Sequence, residues 1–114
     1  MMLTINSKEI MRLMDTGALF TVVNVLEKES YDLEHICGSI NIPVEEMETE
    51  APGLIGTDER VIVHCSGPKC TASEVACAKL EGMGYRNVER FTGGIEEWKK
   101  AGYCIEGKEA RKAA

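Results

Sequence analysis

No apolar run in the 114-residue chain approaches the roughly 20 residues that a bilayer-spanning helix requires, so no such helix is expected. The opening "MMLTINSKEIM" lacks the basic start and apolar core of a secretory signal, which makes a cytoplasmic location the expectation. Basic residues are short as well: 13 Lys and Arg stand against 19 Asp and Glu, a net charge of −6. Nucleic acid and anionic lipid call for clustered cations, so neither is an expected partner. The acidic run Glu45 to Glu50 reads as a solvated face. The chain has no C-x2-C pair and no repeated ligand spacing, so His35, Cys37, His64, Cys65 and Cys70 are not expected to form a metal site. Repeats, linkers and low-complexity segments are also missing. Five cysteines, at 37, 65, 70, 77 and 104, are an odd number in a chain with no export signal, so free thiols are expected rather than a disulfide framework.

What is present fits one domain over residues 1–114, with a core of about 4–106 and the end "GKEARKAA", 107–114, expected to fray. Hydrophobic residues make up 44% and charged residues 28%, enough apolar mass for a core that needs neither metal nor disulfide. Ile10, Leu13 and Met14 recur at helical spacing in "SKEIMRLMDTG", with Asn6 and Glu9 placed as a capping pair and Gly17 as a stop. "LFTVVNVLE" is a nearly continuous apolar run, as expected of a strand covered on both faces. A short polar helix is expected over "KESYDLEHICG", ending near Gly38. A short strand follows in "SINIP", then an acidic helical turn and loop in "VEEMETEAPGLIG". "RVIVHC" predicts a buried strand and "NVERFTGG" another. "TASEVACAKLEGMG" predicts a helix capped by Thr71 and Glu74, with Ala72, Val75, Ala76, Leu80 and Met83 as its apolar stripe and Gly84 closing it. "IEEWKKAG" predicts the last helix. Strands alternating with helices imply an α/β, doubly wound, mostly parallel central sheet of about five strands flanked by helices.

In such sheets ligands bind beyond the carboxyl ends of the strands, and "HCSGPKC" sits at that point. Cys65 ends a buried strand. Ser66, Gly67, Lys69, Cys70 and Thr71 supply backbone N–H groups that would converge on an anion if the loop curls, while Pro68 stiffens the turn. The following helix N-terminus adds partial positive charge, and Lys69 is the one formal cation in the loop. A free cysteine of pKa about 8.5 can be brought near neutrality by such surroundings, so a nucleophilic Cys65 is the expected chemistry. The bland alternative is a cysteine packed at a strand end. His64 alternates with Cys65 and should face the opposite side of the sheet, as a structural histidine rather than a base. Cys77 and Cys104 are expected to be inert thiols, Trp98 a core anchor, and Met11, Met14 and Met83 core.

"VVNVLEKESYDLEHICGSINIP" and "VIVHCSGPKCTASEVACAKLEGMGYRNVERFTGGIEEWKKAG" together resemble a single-domain rhodanese-like sulfurtransferase, from about Thr4 to Glu106. The resemblance implies that Cys65 accepts a sulfane sulfur as a persulfide, cradled by Ser66 to Thr71. The sulfur would come from a small donor, thiosulfate or a persulfide, and go to a thiol, on a small molecule or on a protein, or to cyanide. No cofactor is implied. Many members of that family carry Asp and Arg where this chain has Asn24 and Leu26, and often an Arg in the loop where it has Cys70. The site is therefore less cationic, which favours a persulfide or protein donor over the thiosulfate dianion. Two other readings stand beside this one. Cys65 and Cys70 could form a thiol-disulfide or persulfide reductase pair if their Cα atoms lie within about 7 Å, or the chain could be a non-catalytic binding module. A phosphatase of the C-x5-R type would need arginine at position 71, which is threonine.

Overall fold

The computed structural model describes residues 3–110. Its main sheet is wholly parallel and has five strands: β1 (Leu3–Ile5), β2 (Thr21–Asn24), β4 (Ile40–Asn41), β5 (Arg60–His64) and β6 (Asn87–Phe91), arranged β1-β6-β5-β2-β4. The helices are α1 (Ser7–Thr16), α2 (Lys28–Leu33), α3 (Met47–Leu54), α4 (Ala72–Gly82) and α5 (Gly94–Lys100). A two-stranded antiparallel ribbon of β3 (His35–Ile36) and β7 (Ile105–Glu106) lies outside the sheet. Among the described residues no helix is long and apolar enough to cross a membrane.

Alternation along the strands sorts their side chains into two cores. Val23, Val61, Val63 and Cys65 join Met47, Ala76 and Leu80 on one face, under α3 and α4. Val22, Ile62 and Phe91 join Ile10, Ile95 and Trp98 on the other, under α1 and α5. Both cores draw on β2, β5 and β6, and β2 and β5, covered on both faces, read as nearly continuous apolar runs. Trp98 is fully buried, meets Phe91 and Tyr103 edge-on, and donates its indole N–H to the Cys104 carbonyl at 2.8 Å.

The first helix starts as its sequence predicts: Asn6 Oδ1 accepts from Glu9 N–H at 2.9 Å while Glu9 Oε1 accepts from Asn6 N–H at 3.0 Å, and Gly17 closes it at φ +74°. Elsewhere the structure corrects the expectations. The second helix stops at Leu33 rather than near Gly38, because His35 and Ile36 pair with Glu106 and Ile105. The third runs through Pro52; fully buried Met47 and Ala51 hold it against the core although the proline removes a helical donor. Thr71 does not cap α4: its φ of −95° and ψ of −5° are already helical, whereas a capping side chain needs extended backbone. The buried stripe of α4 is Ser73, Ala76, Cys77 and Leu80, and Val75 faces outward. The tail expected to fray from residue 107 is held through 109, where Lys108 and Glu109 donate backbone N–H groups to the Asp32 and Leu33 carbonyls. Residues 111–114 lie outside the described part.

The largest correction concerns the thiols. Cys37 and Cys104 form a disulfide across 67 residues, with Cα atoms 5.6 Å apart, at the end of the β3–β7 ribbon. Nothing in their spacing signals it, because the pairing of β3 with β7 creates the proximity. Closing a loop of that length contributes roughly 4 kcal/mol in the chain-entropy account. Cys104→Ser is expected to lower the stability by about 2–4 kcal/mol and the melting temperature by roughly 10–20 °C, read by thermal melts with and without reductant. Equal melts for variant and oxidised wild type would contradict the bridge.

His64 faces the second core, edge-on to Phe91 and opposite Cys65, as alternation requires. Its Nδ1 meets the Cys65 carbonyl at 3.0 Å. Among the described residues its Nε2 has no partner, and neither does Nδ2 of Asn24, its register neighbour on β2. Burial holds the His64 pKa down at about 4, against about 6.5 in an unfolded chain. Between those values the unfolded chain binds the extra proton, so this contribution is complete above pH 6.5 and is lost as the pH falls toward 4, by about 3 kcal/mol. Denaturant titrations of wild type and His64→Leu from pH 7 to 4 should therefore diverge, with wild type the steeper. Parallel curves would rule this out.

Candidate functional site

Cys65 follows the last residue of the central strand β5 and begins the loop into α4. Gly67 and Pro68 fold that loop back: Cys70 N–H donates to the Gly67 carbonyl at 3.1 Å, closing a four-residue turn with proline at its second position, where the ring's fixed φ fits. The turn returns Cys70 over Cys65. Cys65 Sγ lies 3.4 Å from both the Cys70 carbonyl oxygen and Ser73 Oγ.

The floor and wall of the loop come from distant segments. From β6, Arg90 reaches under it, donating from Nε to Ser73 Oγ at 2.8 Å and from Nη2 to the Cys70 carbonyl at 3.1 Å, with Glu74 at 3.7 Å. The start of α5 donates to the loop's carbonyls, Ile95 N–H to Cys65 and Glu96 N–H to Ser66, at 3.2 and 3.0 Å. So close an approach requires glycine at 94: its φ is +58°, and a Cβ there would sit 2.5 Å from the Cys65 carbonyl oxygen. The Glu96 carboxylate covers Gly67, where any side chain would collide with it.

Of the residues singled out from sequence, Cys65, Gly67 and Cys70 are brought together, while Ser66, Lys69 and Thr71 are exposed. The backbone N–H groups of Gly67, Lys69 and Thr71 have no backbone acceptor among the described residues, so they remain open to an anion. Ser66 N–H instead faces the Cys70 sulfur, joined by Ala72 N–H, which the sequence reading had not included. Arg90 was missed entirely. Its one sequence signal is a charge inside the strand "NVERF", and its register partner is Val63, two residues before Cys65.

Electrostatically the loop differs from the expectation of a depressed Cys65. Burial pushes the Cys65 thiol up, as does the hydrogen bond with Cys70, against a lowering by Ser73. For Cys70, partial burial pushes the same way but is outweighed by hydrogen bonds from Cys65, Ala72 and Ser66, so its net shift is downward. The loop's donors thus favour ionisation of Cys70 over that of Cys65, which is only 1% exposed. Cys77 is an inert core thiol, its pKa pushed up to about 12 by burial. His35 is occupied by stacking on Tyr31 and by the Tyr31 carbonyl at 2.7 Å. With Cys37 in a disulfide and His64 facing away, the candidate metal donors do not converge. A cleft of about 530 Å³ opens beside the loop, lined by Leu26, Leu33, Ser66, Ile95, Glu96 and Lys99 among others. The aliphatic Leu26 therefore borders the approach to the site.

This architecture recurs in known proteins. The family model of the rhodanese-like domain matches residues 6–101. The chain belongs to the rhodanese-like domain family. This rhodanese-like domain is 32% identical over 102 residues to the HTH-type transcriptional regulator Rv0324 of Mycobacterium tuberculosis, a match that covers 90% of this chain. It is 31% identical over 84 residues, 74% of its length, to the putative sulfur carrier protein YrkF of Bacillus subtilis. The match spans 44% of each of these relatives. Among solved structures, the BH2092 protein of Bacillus halodurans superposes with a TM-score of 0.87 at 27% identity, covering 94% of this chain and 78% of that one. Thiosulfate sulfurtransferase of Pseudomonas aeruginosa superposes at 0.80 with 25% identity, over 94% of this chain and 20% of that one.

Proposed function

We propose that this rhodanese-like domain is a sulfurtransferase that moves a sulfane sulfur through a persulfide on Cys65. Family membership and the likeness to a putative sulfur carrier support sulfur-transfer chemistry in general. The observation that carries the finer reading is the position of Cys65: a thiol at the carboxyl end of the central strand, in a loop with amides that lack backbone acceptors among the described residues, above a partly buried arginine. A thiol at that point sets catalysis above a non-catalytic module.

Cys65 must ionise before it attacks, and the Ser73 contact favours its thiolate. The Cys65 thiolate attacks the outer sulfur of a donor persulfide, the S–S bond breaks, and the donor leaves as a thiol that takes up the proton Cys65 released. An acceptor thiolate then attacks the outer sulfur on Cys65, forming a new persulfide and restoring the Cys65 thiolate. The amides of Gly67, Lys69 and Thr71 face the charge on the terminal sulfur. With aliphatic Leu26 by the loop and a carboxylate at Glu96, an uncharged or organic persulfide suits the cleft better than the thiosulfate dianion.

The test is transfer in the presence of excess cyanide, which captures sulfane sulfur as thiocyanate. Thiocyanate should form well above the protein-free rate from cysteine persulfide, and more slowly from thiosulfate. No acceleration with either donor would overturn the reading.

A further inference from the structure

The loop holds a second sulfur that simple transfer does not use as a nucleophile. Cys70 stands opposite Cys65 because the Gly67–Cys70 turn closes the intervening residues, and the turn is pinned from below by Arg90 on the Cys70 carbonyl at 3.1 Å. The Cys70 carbonyl oxygen lies 3.4 Å from Cys65 Sγ, so the backbone of Cys70 is packed against that sulfur. The pair is asymmetric: Cys65 is almost wholly buried, whereas Cys70 is half-exposed and receives N–H groups from Ser66 and Ala72.

We infer that Cys70 is a resolving thiol, which attacks the Cys65 persulfide at its inner sulfur, releases hydrosulfide and leaves a Cys65–Cys70 disulfide. This rests on the persulfide reading of Cys65 given above. In the step, the Cys70 thiolate forms a bond to Cys65 Sγ, the bond from Sγ to the outer sulfur breaks, and its electron pair leaves as HS⁻ with the persulfide proton. The sulfane sulfur is reduced by two electrons and the two cysteines are oxidised to a disulfide. A dithiol reductant returns them to thiols for the next cycle by ordinary exchange. The domain would then be a sulfane-sulfur reductase as well as a carrier, with hydrosulfide as its product whenever no acceptor intervenes.

The choice of inner over outer sulfur follows from the products. Attack by Cys70 at the outer sulfur would only move the sulfane sulfur from Cys65 to Cys70, whereas attack at Sγ expels hydrosulfide and completes its reduction. Cys70, held toward its ionised form by the loop amides, is the attacking thiolate.

The experiment adds one equivalent of cysteine persulfide, without oxygen, to dithiol-reduced and desalted wild type, Cys70→Ser and Cys70→Ala, all three carrying Cys37→Ser and Cys104→Ser so that the bridge cysteines cannot consume the sulfur. Released sulfide, intact mass and non-reduced tryptic peptides are then read. Cleavage after Arg60, Lys69 and Lys79 separates Cys65, in 61–69, from Cys70, in 70–79 with Cys77, and fragmentation of the linked pair tells those two cysteines apart. Wild type should release one equivalent of sulfide and link these two peptides through Cys65 and Cys70. Both variants should hold one extra sulfur on Cys65 and release sulfide at least tenfold more slowly. Wild type that keeps the extra sulfur on Cys65 without releasing sulfide would overturn the inference and leave the transferase reading standing, as would variants that release sulfide as fast as wild type. Sulfur taken up by none of the three proteins would overturn the persulfide reading itself and the inference with it.

Discussion

Cys65→Ser is expected to take up no sulfur from any donor and to return thiocyanate formation to the protein-free rate, a loss of about a thousandfold or more. The substitution changes one atom at a site that is 1% exposed, and a hydroxyl can keep both contacts, to the Cys70 carbonyl and to Ser73 Oγ. The fold should survive it, and a melt superposable on that of wild type would show that the loss is chemical. Serine fails because its hydroxyl is not ionised near neutrality and forms no sulfur–sulfur bond. Cys77 cannot take over, since it is buried with its pKa pushed up to about 12. A Cys65→Ser protein that acquires sulfur on Cys70 would sink the assignment, because the half-exposed thiol would then be the entry point.

The second large effect is expected at Arg90, which touches no reacting atom. Its Nε occupies the acceptor side of Ser73 Oγ, which leaves the Ser73 hydroxyl hydrogen free to point at Cys65 Sγ, 3.4 Å away. Its Nη2 holds the Cys70 carbonyl and so the turn that brings the two thiols together. Arg90→Met keeps the aliphatic stem and removes both donors. A hydrogen bond from a charged group contributes about 1.5–3 kcal/mol, so the variant should lose about 2–4 kcal/mol of stability and about ten- to a hundredfold in the rate of sulfur loading. The diagnostic readout is the pH profile. Without Arg90 the Ser73 hydroxyl no longer favours the Cys65 thiolate, and the midpoint for loading should move to higher pH. Arg90→Lys should recover part of the rate but not the full profile, because one ammonium cannot serve Ser73 and Cys70 in the planar geometry of the guanidinium. A normal midpoint in Arg90→Met would reduce Arg90 to scaffolding.

What could be read from the sequence was local. The Asn6–Glu9 cap, the stop at Gly17 and the apolar runs of β2 and β5 are written within a few residues, and the structure reproduces them. So is the strand-to-loop junction that singles out Cys65. What escaped is held by contacts between distant segments. Arg90 lies twenty residues beyond Cys70, and only the parallel register of β5 with β6 puts it under the loop. Ser73 reads as an ordinary residue in the first turn of a helix, yet its contacts with Arg90 and Cys65 put it on the buried side, ahead of the apolar Val75. The Cys37–Cys104 bridge depends on a two-residue pairing too short to register as periodicity. The expectation of a lowered Cys65 pKa failed for a related reason. The helix terminus and loop amides were placed correctly in the chain, but the turn carries Cys70, not Cys65, into their focus.

The main-chain bonds from the start of α5 to the carbonyls of Cys65 and Ser66, and the glycine at 94 that admits them, separate the shape of this loop from its side chains. A loop whose curvature is fixed by backbone on backbone can exchange its chemical cargo without renegotiating its form. Cys70 can occupy a place where related domains often carry arginine, and Leu26 can replace another, while Cys65 stays in register at the end of the sheet. Such a frame works as an interchangeable tool holder: specificity can drift from inorganic anions toward organic sulfur species, or from carrying sulfur to discharging it, through single substitutions that the fold does not feel.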